Sequence, residues 1–168
     1  MPDIAIHDLA DFPHWLPVIA DWFYTSWREL YGEKTQAEVE QCIAGWLGRD
    51  RIPTALVAVA DDEVIGIVAL KDKDQQFGIL PWLSGLYVVR ARRHCGVGTR
   101  LLRAAENKAR SIGLSKLYLY TQKSEAFYGA YGWQVHQHVS LSQTKVSVME
   151  KMLMPHNLFQ HPPPALRG

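Results

Sequence analysis

Seven residues between an apolar strand and an amphipathic helix, Arg93-His94-Cys95-Gly96-Val97-Gly98-Thr99, carry the types and spacing that hold an anion. The strand reads Leu86-Tyr87-Val88-Val89. The helix runs over 97–112, with Val97, Leu101, Leu102, Ala105, Ala109 and Ile112 along one face at helical spacing. The opening N–H groups of a helix have no partner inside it, and the positive end of its dipole points at whatever lies there. Glycine at 96 and 98 lets a phosphate oxygen approach those amides closely. Arg90, Arg92 and Arg93 add fixed positive charge just ahead of the turn. The run predicts a dock for a phosphate or pyrophosphate.

What the run lacks narrows the ligand. A P-loop needs Lys followed by Ser or Thr after its last glycine, and this chain reads Gly98-Thr99-Arg100. A dinucleotide fingerprint needs a third small residue where Leu101 stands, and a carboxylate at the end of the next strand. Residues 116–121 supply none.

With these alternatives set back, the residues resemble the GCN5-related N-acetyltransferase (GNAT) family. Its signature is Arg or Gln, two residues, Gly, one residue, then Gly or Ala, opening a helix after a central strand. Arg93, Gly96 and Gly98 match it position for position. A second landmark, a Phe-Tyr pair followed by Gly and an aromatic, is similar to Phe127-Tyr128-Gly129 and Gly132-Trp133. The resemblance covers roughly residues 54–153. It implies acetyl-CoA as co-substrate. Leu86, Tyr87 and Val88 would form the bulged strand that pairs with the pantetheine arm, and Arg93, His94, Cys95, Gly96, Val97, Gly98 and Thr99 would hold the pyrophosphate. The family often places an Asn several residues before the tyrosine. Here the segment is Thr121-Gln122-Lys123-Ser124-Glu125, so Thr121 or Ser124 would supply a weaker hydrogen bond to the coenzyme. A plain helix N-terminus explains Ser124 equally well.

Acyl transfer from a thioester to an amine needs a polarised carbonyl, a neutral nucleophile and a proton for the departing thiolate. A backbone N–H freed by a strand bulge can polarise the carbonyl, and the resemblance puts Val88 there. Tyr128 matches the family's proton-donating tyrosine. The plainer alternative is an aromatic that packs its helix on the sheet, and position in the motif decides for the catalytic role. Tyr131, three residues on, shares a helix face with it and reads as packing.

No general base stands out. Asp72 and Asp74 read as a solvated turn. His136 and His138 alternate on one strand and are expected to share a face, but no Cys or carboxylate completes a ligand set, so no metal is expected. Aromatics crowd the first helix and its loop. Most fit a core-facing stripe, whereas Trp27, Tyr31 and Trp82, with Glu29 beside them, could border a pocket for a cationic amine.

Around these residues the chain alternates strands and helices. A strand over 4–6 precedes helices over 15–30 and 35–47, the second opened by Thr35 and Glu38 as a capping box. Apolar runs over 54–60 and 63–70, joined by Asp61-Asp62, predict a hairpin. The central strand covers 81–89. A strand over 116–121, a short helix over 124–131 and a final hairpin of 133–141 and 145–153 follow. The order β-α-α-β-β-β-α-β-α-β-β gives an α/β acyl-CoA N-acyltransferase fold, a mixed, mostly antiparallel sheet flanked by helices. One domain is expected over 1–154, followed by an extended, proline-rich tail over 155–168.

Composition agrees. A chain of 168 residues with 48% hydrophobic residues can bury a core, and a net charge of +1 gives no reason to expect nucleic acid or a membrane as partner. Without a signal-peptide pattern, and with two cysteines, the cytoplasm is the expected setting. A homodimer through a sheet edge is open to such a fold. The chain reads as an N-acetyltransferase for a primary amine of a small molecule or peptide. The alternative is a catalytically silent acyl-CoA-binding sensor or interaction module in the same cleft, which Tyr128 argues against.

Overall fold

Asp61 and Asp62 take positive φ angles of 52° and 62° in the computed structural model, which describes residues 3–27, 32–74, 77–141 and 143–153. Paired left-handed residues twist a two-residue turn in the sense of its flanking strands, and Asp tolerates that conformation. They join β2 (Thr54–Ala60) to β3 (Glu63–Lys71) as expected. The remaining elements are β1 (Ala5–Asp8), α1 (Leu16–Ser26), α2 (Gln36–Ala44), β4 (Trp82–Val88), α3 (Val97–Ser111), β5 (Lys116–Thr121), α4 (Glu125–Gly129), β6 (Gln134–Leu141) and β7 (Thr144–Met152). Their order is the expected one.

The strands form one sheet in the order β1-β2-β3-β4-β5-β7-β6, antiparallel throughout except between β4 and β5. On one face α3 buries Val97, Leu101, Leu102, Ala105 and Ala109. On the other, Ile19 and Phe23 of α1 and Val39 and Ile43 of α2 cover Val57, Ile67 and Ala69. Because β2 and β3 are covered on both faces, their sequences are apolar runs rather than alternations. Each fully buried Leu, Ile or Phe contributes about 1.5–3 kcal/mol.

The helix termini show how local sequence sets the elements. Thr35 caps α2: its Oγ1 accepts from the Glu38 amide at 3.2 Å, and the Glu38 carboxylate accepts from the Thr35 amide at 3.0 Å. The first helix starts at Leu16, because Pro13–Trp15 forms a separate 3-10 turn, and Trp27 leaves it with φ −125° and ψ 36°. The short helix is only Glu125–Gly129, so Tyr131 lies beyond it. The expected tail over 155–168 lies outside the described residues, and no described helix is long and apolar enough to cross a membrane.

Two strand irregularities matter for the site. Between Ile67 and Ala69 of β3, β4 advances from Tyr87 to Ser84, one residue more than its partner. Gly85 takes φ +65° in this bulge, and a Cβ there would lie 3.1 Å from the Phe23 ring, so glycine is needed on both counts. A second bulge, between Val135 and Gln137, corrects the expectation that His136 and His138 share a face. The extra residue puts His136 Nδ1 3.4 Å from the Glu150 carboxylate, on one face. His138 Nδ1 stands 3.2 Å from Ser147 Oγ, on the other.

Candidate active-site cleft

The β4–β5 pair is where the sheet opens. The strands pair at Trp82 and Tyr118, where β4 begins, and among the described residues no pairing continues to Val88. On the opposite side of β4, the Val89 amide donates to Ile65 O at 2.9 Å, and Val88 faces Gly66 one step away. Bonded and non-bonded pairs alternate along an antiparallel ladder, so the N–H and C=O of Val88 point away from β3 into the gap. The carbonyl accepts from Arg93 Nε at 2.8 Å. The amide is left for a ligand.

A cleft of about 570 Å³ occupies this gap and crosses the sheet. Ser26 and Trp27 reach it from α1, Leu86, Tyr87 and Val88 from β4, and Ser124, Phe127 and Tyr128 from the α4 side. Its mouth is the run between β4 and α3. His94 and Gly96 there take φ of 63° and 82°, a rare conformation for a residue with a Cβ. Gly96 caps α3, whose first intrahelical bond runs from the Arg100 amide to Gly96 O at 3.1 Å. The amides of Val97, Gly98 and Thr99 come before that bond, so the helix leaves them to an outside acceptor. Arg92, Arg93 and His94 line the same mouth.

Tyr128 is 9% exposed and lines the cleft, with no hydrogen-bond partner for its hydroxyl among the described residues. Burial pushes its phenol up from 10.0 to about 12, because the phenolate would be poorly solvated there. The group is therefore fully protonated at neutral pH. Val88 and Tyr128 thus present an N–H and an O–H donor to one cavity.

Of the residues expected at the site, Leu86, Tyr87, Val88 and Tyr128 line the cleft, as do Trp27 and Ser124. From the anion run, Arg93, His94, Gly96, Val97, Gly98 and Thr99 do so. Cys95 does not; its exposed thiol lies 3.5 Å from Arg93 O. Thr121 does not either, since its Oγ1 accepts from the Ser124 amide at 3.0 Å and shapes the turn into α4. Trp82 is 2% exposed, enclosed by Phe77, Tyr118 and Tyr120, and its Nε1 donates to Gly78 O at 3.3 Å, so it stands in the interior rather than in the cleft wall. Glu29 and Tyr31 lie outside the described residues.

Sequence reasoning did not assign Ser26 or Phe127 to the cleft wall, and it gave Arg92 only as fixed positive charge ahead of the turn. Phe127 had a signal, since it stands beside Tyr128 in the second landmark. Ser26 had none, because only the fold brings the end of α1 to the gap. No described cluster of three His, Cys, Asp or Glu side chains could ligate a metal.

Residues 16–133 match the Acetyltransferase (GNAT) family. An aminoglycoside N(6′)-acetyltransferase type 1 of Klebsiella aerogenes is 33% identical over 102 residues, which span 57% of this chain and 65% of that protein. The match therefore covers just under two thirds of the relative's length. Among solved structures, an aminoglycoside 6′-acetyltransferase type Ii superposes with a TM-score of 0.68 at 25% identity, covering 91% of this chain and 98% of that one. An aminoglycoside 6′-N-acetyltransferase complexed with coenzyme A superposes equally well, at 0.68 and 22% identity over 91% and 98%, which shows a shared fold.

Proposed function

The chain belongs to the GNAT acetyltransferase family, and from that premise we propose that it moves the acetyl group of acetyl-CoA to a primary amine by direct attack on the thioester. The observation that carries this reading is the convergence of the Val88 amide and the Tyr128 hydroxyl on one cleft whose mouth is the free end of α3. The residues fit the coenzyme. Three unbonded amides, Arg92, Arg93 and His94 suit a pyrophosphate, and the open edge of β4 suits an extended amide-bearing arm. Acetyl-CoA supplies an activated acyl carbon and a thiolate leaving group.

The chain's own groups do the rest. The Val88 N–H donates to the thioester oxygen, where negative charge grows as the amine nitrogen bonds to the carbonyl carbon. As the carbon–sulfur bond breaks, Tyr128 gives its proton to the sulfur, and the amine's surplus proton leaves to water. The raised phenol pKa means that Tyr128 enters this step protonated, as a weak acid whose proton moves only as charge builds on the sulfur, and it retakes a proton from solvent. Trp27, with its ring edge-on to Tyr87 at 5.9 Å, borders the side facing α1 and would receive the amine's body.

Relatives named for the 6′-amine of aminoglycosides make such an amine the first acceptor to try, ahead of arylalkylamines and peptide N-termini. Acetyl-CoA at about a hundred times its Kd should stabilise the protein by about 2.7 kcal/mol, followed by free-thiol release with kanamycin A or another member of that panel. Stabilisation without thiol release from any amine favours a silent acyl-CoA binder. Absence of stabilisation removes the coenzyme reading.

A further inference from the structure

Ser147 of β7 is 8% exposed and lies between two ionisable side chains. Its Oγ is 2.6 Å from Glu125 Oε2 and 3.2 Å from His138 Nδ1. The hydroxyl has one hydrogen, and a carboxylate only accepts, so that hydrogen goes to Glu125. His138 Nδ1 must then be the protonated nitrogen and donate to Oγ. The result is a directed chain, His138 to Ser147 to Glu125. It is not a nucleophile arrangement, in which the hydroxyl hydrogen would go to the imidazole.

The chain ends on the first residue of α4. This helix has five residues, and the Ser124 side chain makes no capping bond. A single helical turn does not hold itself together in water, so tertiary contacts must set its place. Its far end is fixed by Tyr128 in the core and by the Trp133 amide, which donates to Tyr128 O at 3.2 Å. Its near end is bonded to β7 through Glu125 and Ser147. Glu125 and Tyr128, three residues apart, lie on neighbouring positions of one helix face.

We infer that Ser147 is a positioning residue for acyl transfer: by bonding Glu125, with His138 behind it, it pins the first turn of α4 to β7 and fixes where the Tyr128 hydroxyl meets the cleft. Its bearing on catalysis rests on the assignment of Tyr128 as proton donor. The pinning itself does not.

The test compares the wild type with Ser147→Ala, Ser147→Thr and Glu125→Ala, following tyrosinate absorbance through an alkaline titration, with Tyr128→Phe to identify the Tyr128 step. Ser147→Ala and Glu125→Ala should bring that step down from about 12 toward 10.0, because a loosened α4 lets water reach the phenol. Ser147→Thr, which keeps the hydroxyl, should restore it. In steady-state thiol release from acetyl-CoA with an active amine from the panel, the two alanine variants should lower kcat with little change in the KM for acetyl-CoA. An unmoved Tyr128 step in both alanine variants overturns the proposal, and Glu125 is exposed enough that its truncation keeps the fold. A moved step in a protein that acetylates no amine upholds the pin and removes the reaction instead.

Discussion

The hydroxyls of Thr99 and Tyr131 lie 2.8 Å apart, joining the first turn of α3 to the loop that follows α4. One bond thereby links the segment that offers free amides to an anion with the segment that carries the candidate proton donor. Arg103, one turn along α3, stands with its guanidinium 5.6 Å from the centre of the Tyr131 ring. Tyr131→Phe keeps the ring and removes the bond. It should cost about 0.5–1.5 kcal/mol of stability by urea unfolding, the usual net worth of one hydrogen bond. Acetyl-CoA affinity by calorimetry should stay near wild type, because the Thr99 amide is untouched.

Tyr128→Phe should lower kcat by about 10²–10⁴, the usual contribution of a positioned acid, and leave the Kd for acetyl-CoA nearly unchanged. Thiol release and calorimetry on the same preparation check both halves. Equal turnover in the two proteins removes Tyr128 from the proton transfer.

The same phenol predicts a pH dependence of stability. Its pKa is raised in the folded state, so the folded protein retains a proton that the unfolded chain gives up near pH 10.0. Its stabilisation is whole below 10.0 and is lost as the pH climbs to about 12, a difference on the order of 2–3 kcal/mol. Wild type should therefore lose stability faster than Tyr128→Phe across that interval, as read from urea midpoints.

Gly96→Asp places a carboxylate at the mouth of the cleft. A Cβ at Gly96 meets nothing within 4 Å, so the fold accepts one sterically, while φ of +82° adds a modest backbone cost. Acetyl-CoA binding should be abolished by like-charge repulsion and obstruction, with circular dichroism showing an intact domain. Tight binding in this variant removes the anion site from the end of α3.

Features set by neighbours in sequence were legible before the structure. The α2 capping box, the Asp61-Asp62 turn, the apolar stripe of α3 and the Gly96 turn each depend on a few adjacent residues. What eluded the sequence depends on register or distant packing. A single extra residue in β6 sends His136 and His138 to opposite faces, and no pattern within the strand announces it. Trp82 resembled a pocket residue because its enclosing rings, Tyr118 and Tyr120, come from a strand more than thirty residues away. The role of Ser26 in the cleft wall arises only when α1 is laid over β4.

Glu106 is a buried carboxylate with two donors on one oxygen. It sits on the core side of α3 at 4% exposure, and its Oε1 accepts from Lys151 Nζ at 2.6 Å and Trp133 Nε1 at 3.2 Å. Lys151 also donates to Tyr131 O at 2.6 Å, so the pair ties α3 and β7 to the loop behind α4. Removing one partner strands the other charge. Lys151→Met should therefore cost about 3–5 kcal/mol, and Glu106→Leu less, because Lys151 keeps its bond to Tyr131 O and 19% of its side chain reaches water. The double variant buries no unpaired charge and should recover much of that loss, giving a strongly non-additive cycle in urea unfolding. Additive losses would mean that each side chain contributes through packing alone. Because neither group lines the cleft, the Kd for acetyl-CoA should hold in any variant that remains folded.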